Sequence, residues 1–243
     1  MQLELKDVSL RFDHVAALRD VSFKAGSGMV TCLLGDNGAG KSSLIRILSG
    51  VHQPSAGGYF IDGRRVELAT PRMALAQGIA TVHQDLGLIP LLSVWRNFVL
   101  GAEPTRGAGP FRRIDVRYAR DLTTNALAGL GIELRDPDQP VGTMSGGERQ
   151  SLAIARAIQR GARMLILDEP TAALGVKQAE IVLANVVKAS EKGIGVILVT
   201  HNPLHAARVG DRFVILRQGT VTAECGRGEI DAAGLSELMS GGR

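Results

Sequence analysis

The chain has 243 residues, enough for one α/β domain with a smaller appended subdomain. Its hydrophobic fraction is 45% and its aromatic fraction is 4%, a composition typical of a sheet covered by helices on both faces. The net charge of +4 without clustered lysines and arginines indicates no nucleic-acid partner, two cysteines suggest no disulfide framework, and no apolar run approaches the roughly 18 residues of a transmembrane helix.

Strands dominate the first third of the chain. Apolar residues alternate along the first predicted strand, whereas the second is a continuous apolar run and is expected to be buried. Asp62-Gly63 predicts a type I′ hairpin turn, and Thr70-Pro71 predicts the cap and first residue of a helix. The predicted elements are a strand over 3–10, a strand over 29–34, a helix ending at Gly50, a hairpin over 59–66, a helix from Thr70 to Gly78 and a strand over 79–83.

The middle of the chain is helical, and strands and helices alternate again after it. The helical elements are one capped by Ser93 and ending near Gly101, one over 115–130, and one from Ser145 to about 159, with a Gly- and Pro-rich loop over 102–111. The later elements are a strand over 164–167, a helix over 176–192, a strand over 195–200, a helix over 202–208 and a hairpin over 213–221 turning at Gln218-Gly219.

This order of elements predicts the fold class, because strands that alternate with helices are typical of a mostly parallel sheet. We predict an α/β fold with a mostly parallel sheet, an N-terminal antiparallel β portion and an inserted α-helical subdomain. The chain 1–243 is predicted to be one domain, in which 1–84 and 161–243 form the catalytic core and 85–160 the helical subdomain.

A glycine-rich segment after the second predicted strand has the strongest chemical signal. It matches G-x-x-x-x-G-K-[ST] at every fixed position and reads Gly35-Asp36-Asn37-Gly38-Ala39-Gly40-Lys41-Ser42. Its glycines let backbone N–H groups point at phosphate oxygens, and the helix that follows adds partial positive charge. Lys41 can reach the β- and γ-phosphates of a nucleoside triphosphate, Ser42 can ligate Mg²⁺, and Ser43 belongs to the same predicted site. The alternative is a plain glycine-rich turn.

Two adjacent carboxylates follow the apolar strand over 164–167. Asp168 and Glu169 come at the strand end where ligands bind in open α/β sheets. Asp168 is expected to hold Mg²⁺ through water, and Glu169 is expected to activate the attacking water as a general base. This pair is weak evidence alone and gains its meaning from the phosphate-binding loop.

Three further features narrow the type of protein. Residues 145–148, Ser-Gly-Gly-Glu, open a helix whose N–H donors suit a second anion, which suggests a second subunit. Gln84 follows the strand over 79–83 and can touch Mg²⁺ or the attacking water. His201 follows the strand over 195–200 and can contact the γ-phosphate. Taken singly, residues 145–148 would be explained as a helix cap, Gln84 as a polar strand end and His201 as a structural histidine.

Together these residues resemble the ATPase family of ABC transporters over essentially the whole chain. The matches are 35–42 with Walker A, Gln84 with the Q-loop, 144–148 with the signature usually written LSGGQ, Asp168-Glu169 with Walker B and its catalytic glutamate, and His201 with the switch histidine. The resemblance implies a P-loop NTPase core that binds ATP and Mg²⁺. It also implies an ATP sandwich between two copies, in which Walker A of one faces Ser145, Gly146, Gly147 and Glu148 of the other. Phe12 falls where the family places an aromatic that stacks on adenine, with a core role as the alternative.

The sequence departs from the family pattern at two places. The signature has Met144 and Glu148 where Leu and Gln are usual, and the D-loop ends in Gly175 instead of Asp. Met144 is expected to change the signature little, since methionine and leucine are apolar side chains of similar volume. Glu148 adds a negative charge near the triphosphate that Arg149 can offset, and Gly175 puts the usual cross-dimer hydrogen bond in doubt.

Within the family, the stretches VHQDLGLIPLLSVWRNFVLGAEP and DEPTAALGVKQ are similar to ATPases of bacterial monosaccharide importers of the ribose, xylose and fructose type, in single-cassette form. The resemblance implies a peripheral subunit on the cytoplasmic face of the inner membrane, with transmembrane permease subunits and, indirectly, a sugar-binding protein as partners. The apolar segment 86–92, with Trp95 and Phe98, is the expected contact for a permease helix. The alternatives are an importer of another solute, such as an amino acid, and a soluble ABC ATPase outside transport.

Overall fold

The computed structural model describes residues 1–241, except for the side chain of Pro110. Two compact units are present. The first, here called the sheet unit, comprises Met1–Gln84, Ala162–Pro170 and the described residues from Val186 onward. The second, the helical unit, comprises Asp85–Gly161 and Thr171–Asn185. Within the described residues, no helix is both long enough and apolar enough to cross a membrane.

The secondary structure follows the predicted order of elements. The strands are β1 (Gln2–Phe12), β2 (Val15–Gly26), β3 (Val30–Leu34), β4 (Ala56–Ile61), β5 (Arg64–Val66), β6 (Ile79–Val82), β7 (Thr105–Arg106), β8 (Arg113–Ile114), β9 (Met164–Asp168), β10 (Gly195–Thr200), β11 (Arg212–Arg217) and β12 (Thr220–Gly226). The α-helices are α1 (Lys41–Leu48), α2 (Pro71–Ala76), α3 (Val94–Val99), α4 (Val116–Ala128), α5 (Gly146–Gln159), α6 (Val176–Glu191), α7 (Pro203–Val209) and α8 (Ala232–Ser240).

A six-stranded sheet with the order β12-β11-β3-β10-β9-β6 forms the centre of the sheet unit. The strands from β11 to β6 pair in parallel, and β12 is antiparallel at one edge. All residues of β3 and β10 are buried, which explains their continuous apolar runs. Because parallel strands end at the same edge, the loops after β3, β9 and β10 emerge side by side. The mostly parallel α/β fold expected from the sequence is confirmed.

A second, antiparallel sheet in the same unit has the order β2-β1-β4-β5. Its inner face joins the core with residues of α1, such as Leu44 and Leu48. The turn between β4 and β5 has φ angles of 49° at Asp62 and 77° at Gly63, as the type I′ prediction requires. β2 was not predicted from the sequence, although its residues alternate between buried and exposed.

Two helix starts have the caps that the sequence indicates. The Thr70 hydroxyl accepts a hydrogen bond from the Met73 N–H, with Pro71 as the first helical residue of α2. The Ser93 hydroxyl accepts from the Arg96 N–H at the start of α3. Each bond satisfies one backbone donor that the helix itself leaves free.

The helical unit packs α3, α4 and α5 together and fixes the segment before α3 through one buried amide. Asn97 is fully buried, and its side chain accepts a hydrogen bond from Ile89 N–H at 2.8 Å. Its amide group donates to the carbonyl oxygens of Ile89, Leu92 and Ser93 at 3.0 to 3.2 Å. This one side chain therefore supplies the partner of the Ile89 N–H and three further hydrogen bonds that hold the segment in place.

The structure corrects the proposed role of two aromatic residues. Trp95 and Phe98 are buried in the helical unit, with exposed fractions of 4% and 2%, so they do not line a surface groove. The Trp95 indole N–H donates to Asp138 at 2.9 Å. The exposed apolar residues of the preceding segment are Ile89 and Leu91, and Leu91 is 89% exposed.

Besides β2, a short hairpin and the final helix were missed in the sequence. The predicted loop over 102–111 contains β7, which pairs with β8 in a short hairpin. Strands of two residues are too short to show a periodic pattern. The final helix α8 has Gly234 in its first turn, which weakens the helical signal, and is capped by the Asp231 carboxylate accepting from the Gly234 N–H at 2.8 Å.

Asn97→Ala should lower the free energy of unfolding by about 1–3 kcal/mol, because it leaves the Ile89 N–H without its partner and removes three further hydrogen bonds to carbonyl oxygens. Urea denaturation followed by the fluorescence of Trp95, the single tryptophan, measures this loss. Asn125→Ala, on the exposed side of α4, is the control and should change stability by less than about 0.5 kcal/mol. Equal losses in both variants would show that other contacts hold the segment 86–93.

Candidate active site

The loop between β3 and α1 curls in a way that only glycine permits at key positions. Gly35 has φ of 156° and Gly40 has φ of 106°. A Cβ at Gly35 would lie 2.2 Å from the Leu216 carbonyl oxygen, and one at Gly40 would lie 3.0 Å from the Ala17 carbonyl oxygen. The two glycines thus combine unusual backbone angles with close approach of neighbouring chain. This geometry keeps the loop compact at the start of α1.

Lys41, the first residue of α1, is nearly buried and turns back into its own loop. Its Nζ donates to the carbonyl oxygens of Gly35 at 2.5 Å and Asp36 at 3.1 Å. Burial lowers the pKa of Lys41 below its ordinary value, while the nearby Glu169, Asp36 and Asp168 oppose that shift. A buried cation held only by carbonyl dipoles is suited to an anionic ligand that supplies full charge compensation.

A cavity of about 660 Å³ opens in front of this loop. Its floor is formed by Asp36, Asn37, Gly38, Gly40, Lys41, Ser42 and Ser43, whereas Gly35 and Ala39 are buried beneath them. Gln84, Asp168 and Glu169 line the same cavity. Parallel pairing of β6, β9 and β3 with their neighbours brings these residues, distant in sequence, to one edge of the sheet.

The two carboxylates at the carboxyl end of β9, Asp168 and Glu169, have different surroundings. Burial raises the pKa of Asp168 above its ordinary value, with Glu169 adding to the shift and His83 and Lys41 opposing it. Glu169 has φ of 49°, an unfavourable angle for a residue with a side chain, and its N–H donates to the Val199 carbonyl at 2.9 Å. This strained backbone holds the Glu169 carboxylate at the cavity wall.

His201, which follows β10, contacts Glu169 directly. Its Nδ1 lies 2.9 Å from Glu169 Oε1, and the imidazole is 57% exposed. With a proton on Nδ1, the imidazole donates this hydrogen bond and orients the carboxylate. A carboxylate and an imidazole are thus paired across neighbouring strands.

The residues predicted to hold Mg²⁺ fit that ion. Ser42, Gln84 and Asp168 offer a hydroxyl, an amide and a carboxylate oxygen to the same cavity, and Mg²⁺ prefers such hard oxygen ligands. Within the described residues, no cluster of three His, Cys, Asp or Glu side chains could bind a metal by itself. A few protein oxygens completed by phosphate oxygens are the usual way in which Mg²⁺ is bound at nucleotides.

The far wall of the cavity was not identified from the sequence. It consists of Val15, Ala16, Ala17 and Arg19 from β2, and Gln218 and Gly219 from the β11–β12 turn. Gly219 N–H donates to the Ala39 carbonyl at 2.9 Å, and Arg19 N–H donates to the Gly219 carbonyl at 2.8 Å. The only signal for this wall was the predicted Gln218-Gly219 turn, since a strand parallel to β3 ends at the same edge.

Phe12, expected to stack on adenine, does not line this cavity. Its ring meets the His52 ring edge-on with 5.3 Å between centroids, and 40% of the residue is exposed. The exposed Val15 lies at the cavity instead.

Ser145 and the residues after it belong to the helical unit. The Ser145 hydroxyl accepts from Glu148 N–H at 3.3 Å, and the Glu148 carboxylate accepts from Ser145 N–H at 2.7 Å. This reciprocal capping box fixes the start of α5. Arg149 donates to the Met144 carbonyl at 2.7 Å. The unusual glutamate is therefore engaged with the backbone of its own helix.

These features define a class of protein. A glycine loop between a buried strand and a helix, a buried lysine, and an Asp-Glu pair at the end of a parallel strand one strand further along the sheet are the components of a P-loop nucleotide-binding site.

Comparison with known proteins identifies the family. The family model described as ABC transporter matches residues 18–172. The xylose/arabinose import ATP-binding protein of Sulfolobus acidocaldarius is 38% identical, over 98% of this chain and 93% of that protein. The ribose import ATP-binding protein of Chromobacterium violaceum is 41% identical over 92% of this chain, but the chain spans only 44% of that protein's length.

Solved structures agree with this result. An ATP-binding cassette of an ABC transporter in its ADP conformation superposes with a TM-score of 0.83 at 23% identity, over 99% of this chain and 95% of that one. A dimeric bacterial ABC transporter cassette superposes with a TM-score of 0.76 at 27% identity, over 94% of this chain and 100% of that one. The chain belongs to the ABC transporter family and is an ATP-binding, ATP-hydrolysing cassette.

Lys41→Ala should reduce ATP hydrolysis by at least about 100-fold, because it removes the cation directed at the transferring phosphate. Phosphate release by the purified protein measures the change. Lys24→Ala is the matched control, since Lys24 is an exposed cation of the same unit paired with Glu4. Near-normal hydrolysis by the Lys41 variant would remove this lysine from the catalytic site.

Proposed function

We propose that this chain energises a monosaccharide importer by hydrolysing ATP at the cavity between β2 and the β3–α1 loop. The observation that carries the catalytic part is the 2.9 Å contact between His201 and Glu169 beside the buried Lys41. The sugar assignment is supported by the names of relatives, which import xylose, arabinose and ribose. The chain spans about half the length of the ribose relatives. The activity of those complete proteins is therefore attributed to this chain only as part of this proposal.

The residues would act in the following way. The backbone N–H groups of residues 36–42 and the Lys41 ammonium bind the β- and γ-phosphates. Glu169 takes a proton from the attacking water, whose oxygen forms the new bond to the γ-phosphorus. The bond from that phosphorus to the bridging oxygen breaks, and ADP leaves with the electron pair. His201 keeps Glu169 in the position from which it can take the proton.

Magnesium completes the proposed site. Ser42, Gln84 and Asp168 would hold the ion, Asp168 through water, and Mg²⁺ supplies neutralisation of the charge on the β- and γ-phosphate oxygens. Desolvation at Asp168 favours a nearby cation, because the carboxylate is costly to keep charged and unpaired.

A second copy of the chain is the proposed partner across the nucleotide. A related cassette of 27% identity was solved as a dimer, and a second dimeric structure of the same cassette holds ADP and phosphate. The start of α5, with Ser145, Gly146 and Gly147, would contact the γ-phosphate held by the partner copy. Glu148 would lie nearby, with its charge directed at the Ser145 N–H.

ATP would be hydrolysed in the sheet unit, and the helical unit would transmit the effect of hydrolysis to the permease subunits. Gln84 is the last residue of the sheet-unit segment Met1–Gln84, so the chain passes from the cavity directly into the segment 85–93. The exposed Leu91 and Ile89 on that segment would contact permease subunits at the cytoplasmic face of the membrane. A sugar-binding protein would take part indirectly, through the permease.

Glu169→Gln should bind ATP but hydrolyse it at least about 100-fold more slowly, because the amide keeps the shape and cannot accept the proton. The trapped nucleotide should hold two copies together, which size-exclusion chromatography with ATP and Mg²⁺ detects. Adding Ser145→Arg to this variant should return it to a monomer that still binds ATP, since the larger cation blocks the start of α5. Dimers that survive the second change would refute the trans contact.

Sugar import is tested by uptake of labelled ribose, xylose and fructose into vesicles that contain this chain and the permease encoded beside it. Leu91→Glu should abolish coupled uptake and leave ATP binding intact, because a charge at this exposed apolar position disrupts the proposed permease contact. Leu75→Glu, at an exposed position of α2, should not affect uptake. Uptake of an amino acid and of none of these sugars would overturn the monosaccharide assignment alone.

A further inference from the structure

A short hairpin in the helical unit has no role in the nucleotide site. It consists of β7, the turn after it, β8 and the first turn of α4, and is called here the arginine hairpin, residues 105–118. Gly107 in its turn has φ of 90°, and a Cβ there would lie 2.7 Å from the Phe111 carbonyl oxygen. Glycine is therefore required at this turn, and it defines the backbone conformation between β7 and β8.

Large apolar side chains of the arginine hairpin are exposed to solvent. Phe111 is 76% exposed and Tyr118 is 56% exposed, and Ile114 and Val116 are also exposed. Four such residues within one short segment are more than the scattered exposure that is normal for a protein surface. Their exposure indicates that this surface contacts an apolar or amphipathic binding partner.

The same segment is rich in cations. Arg106, Arg112, Arg113 and Arg117 are all exposed, and none of them takes part in an ion pair within the described part of the chain. Arg106 lies directly opposite Arg113 in the β7–β8 pairing. Like charges at directly opposed positions destabilise a hairpin. An anion bound at this pair would remove the repulsion.

The nearby carboxylates do not compensate these arginines at close range. Glu103 accepts a hydrogen bond from Gly101 N–H at 2.8 Å, and Asp115 accepts one from Tyr118 N–H at 3.1 Å as the cap of α4. Four arginines against these two carboxylates leave a formal charge of +2 over residues 102–118. The segment is thus both apolar and cationic.

We propose that the arginine hairpin binds the surface of an anionic phospholipid bilayer. The arginines would contact headgroup phosphates, and Phe111 would insert its ring among the acyl chains near the interface. Attraction of basic residues to anionic lipids and burial of exposed apolar side chains are the two components of peripheral membrane binding. A nucleic acid would compensate the arginines but would leave Ile114 and Val116 exposed to water, so a lipid surface fits the segment better.

This inference rests on the proposed function only in placing the chain beside a membrane. Its test uses no permease and no transport, so the two can fail separately. The full chain is mixed with vesicles of phosphatidylcholine alone, or with about a third of phosphatidylglycerol, and binding is measured by co-sedimentation. We expect binding to the anionic vesicles, weakened by salt, and little binding to the neutral ones.

Two variants and a control test the hairpin itself. Arg106→Gln with Arg113→Gln should weaken partitioning to anionic vesicles about 30-fold, which corresponds to a roughly fivefold effect per arginine. Phe111→Ser should remove the binding that remains for the wild-type chain in about 0.5 M salt, where electrostatic attraction is screened. Arg64→Gln with Arg72→Gln removes the same charge from exposed positions of the sheet unit and should change binding no more than about twofold.

The ATPase rates of all variants should equal that of the wild type, since none of the changed residues lines the nucleotide cavity. Equal loss of binding in the hairpin and control variants would overturn the proposal, because it would indicate unspecific attraction of a basic protein. No binding of the wild-type chain to anionic vesicles would also overturn it. If transport in assembled vesicles depends on Arg106 and Arg113 while lipid binding does not, the hairpin contacts a protein instead.

Discussion

Parallel pairing of β3, β10 and β9 is the constraint on which the nucleotide site depends. In this pairing Thr200 lies beside Leu34, and Val199 lies beside Asp168, so the three strands end together. Their interiors are buried on both faces and carry apolar side chains, with Thr31 of β3 as the exception. Polar chemistry is thereby confined to the residues that follow each strand, and these residues meet at one edge.

The groups gathered at that edge are kept in states that are costly without a ligand. Lys41 is held away from solvent by carbonyl oxygens, Asp168 is desolvated, and Glu169 has a left-handed backbone. All three side chains line one cavity, where the proposed triphosphate and its Mg²⁺ would offset these costs. Parallel strand pairing supplies the rigidity that maintains these positions.

Local sequence rules predicted much of this arrangement, and tertiary contacts account for the remainder. The Asp62-Gly63 turn and the Thr70 cap depend on neighbouring residues alone, so they can be predicted directly from the sequence. The cavity wall from β2 and the Gly219 turn could not be derived, because it depends on how distant strands approach the loop. Phe12 was expected to stack on adenine because of its place in the family pattern, whereas its ring contacts the His52 ring edge-on.

The two departures from the family pattern differ physically. Glu148 is explained within its own helix, since its carboxylate caps Ser145 N–H, and a glutamate at the start of a helix also complements the helix dipole. Gly175 has no such explanation: a Cβ there would meet nothing within 4 Å, and its backbone does not require glycine. The loss of an aspartate at this position is therefore not imposed by folding of the single chain. Gly175 is exposed and directly precedes α6, so the missing aspartate also removes a side-chain cap from the start of that helix.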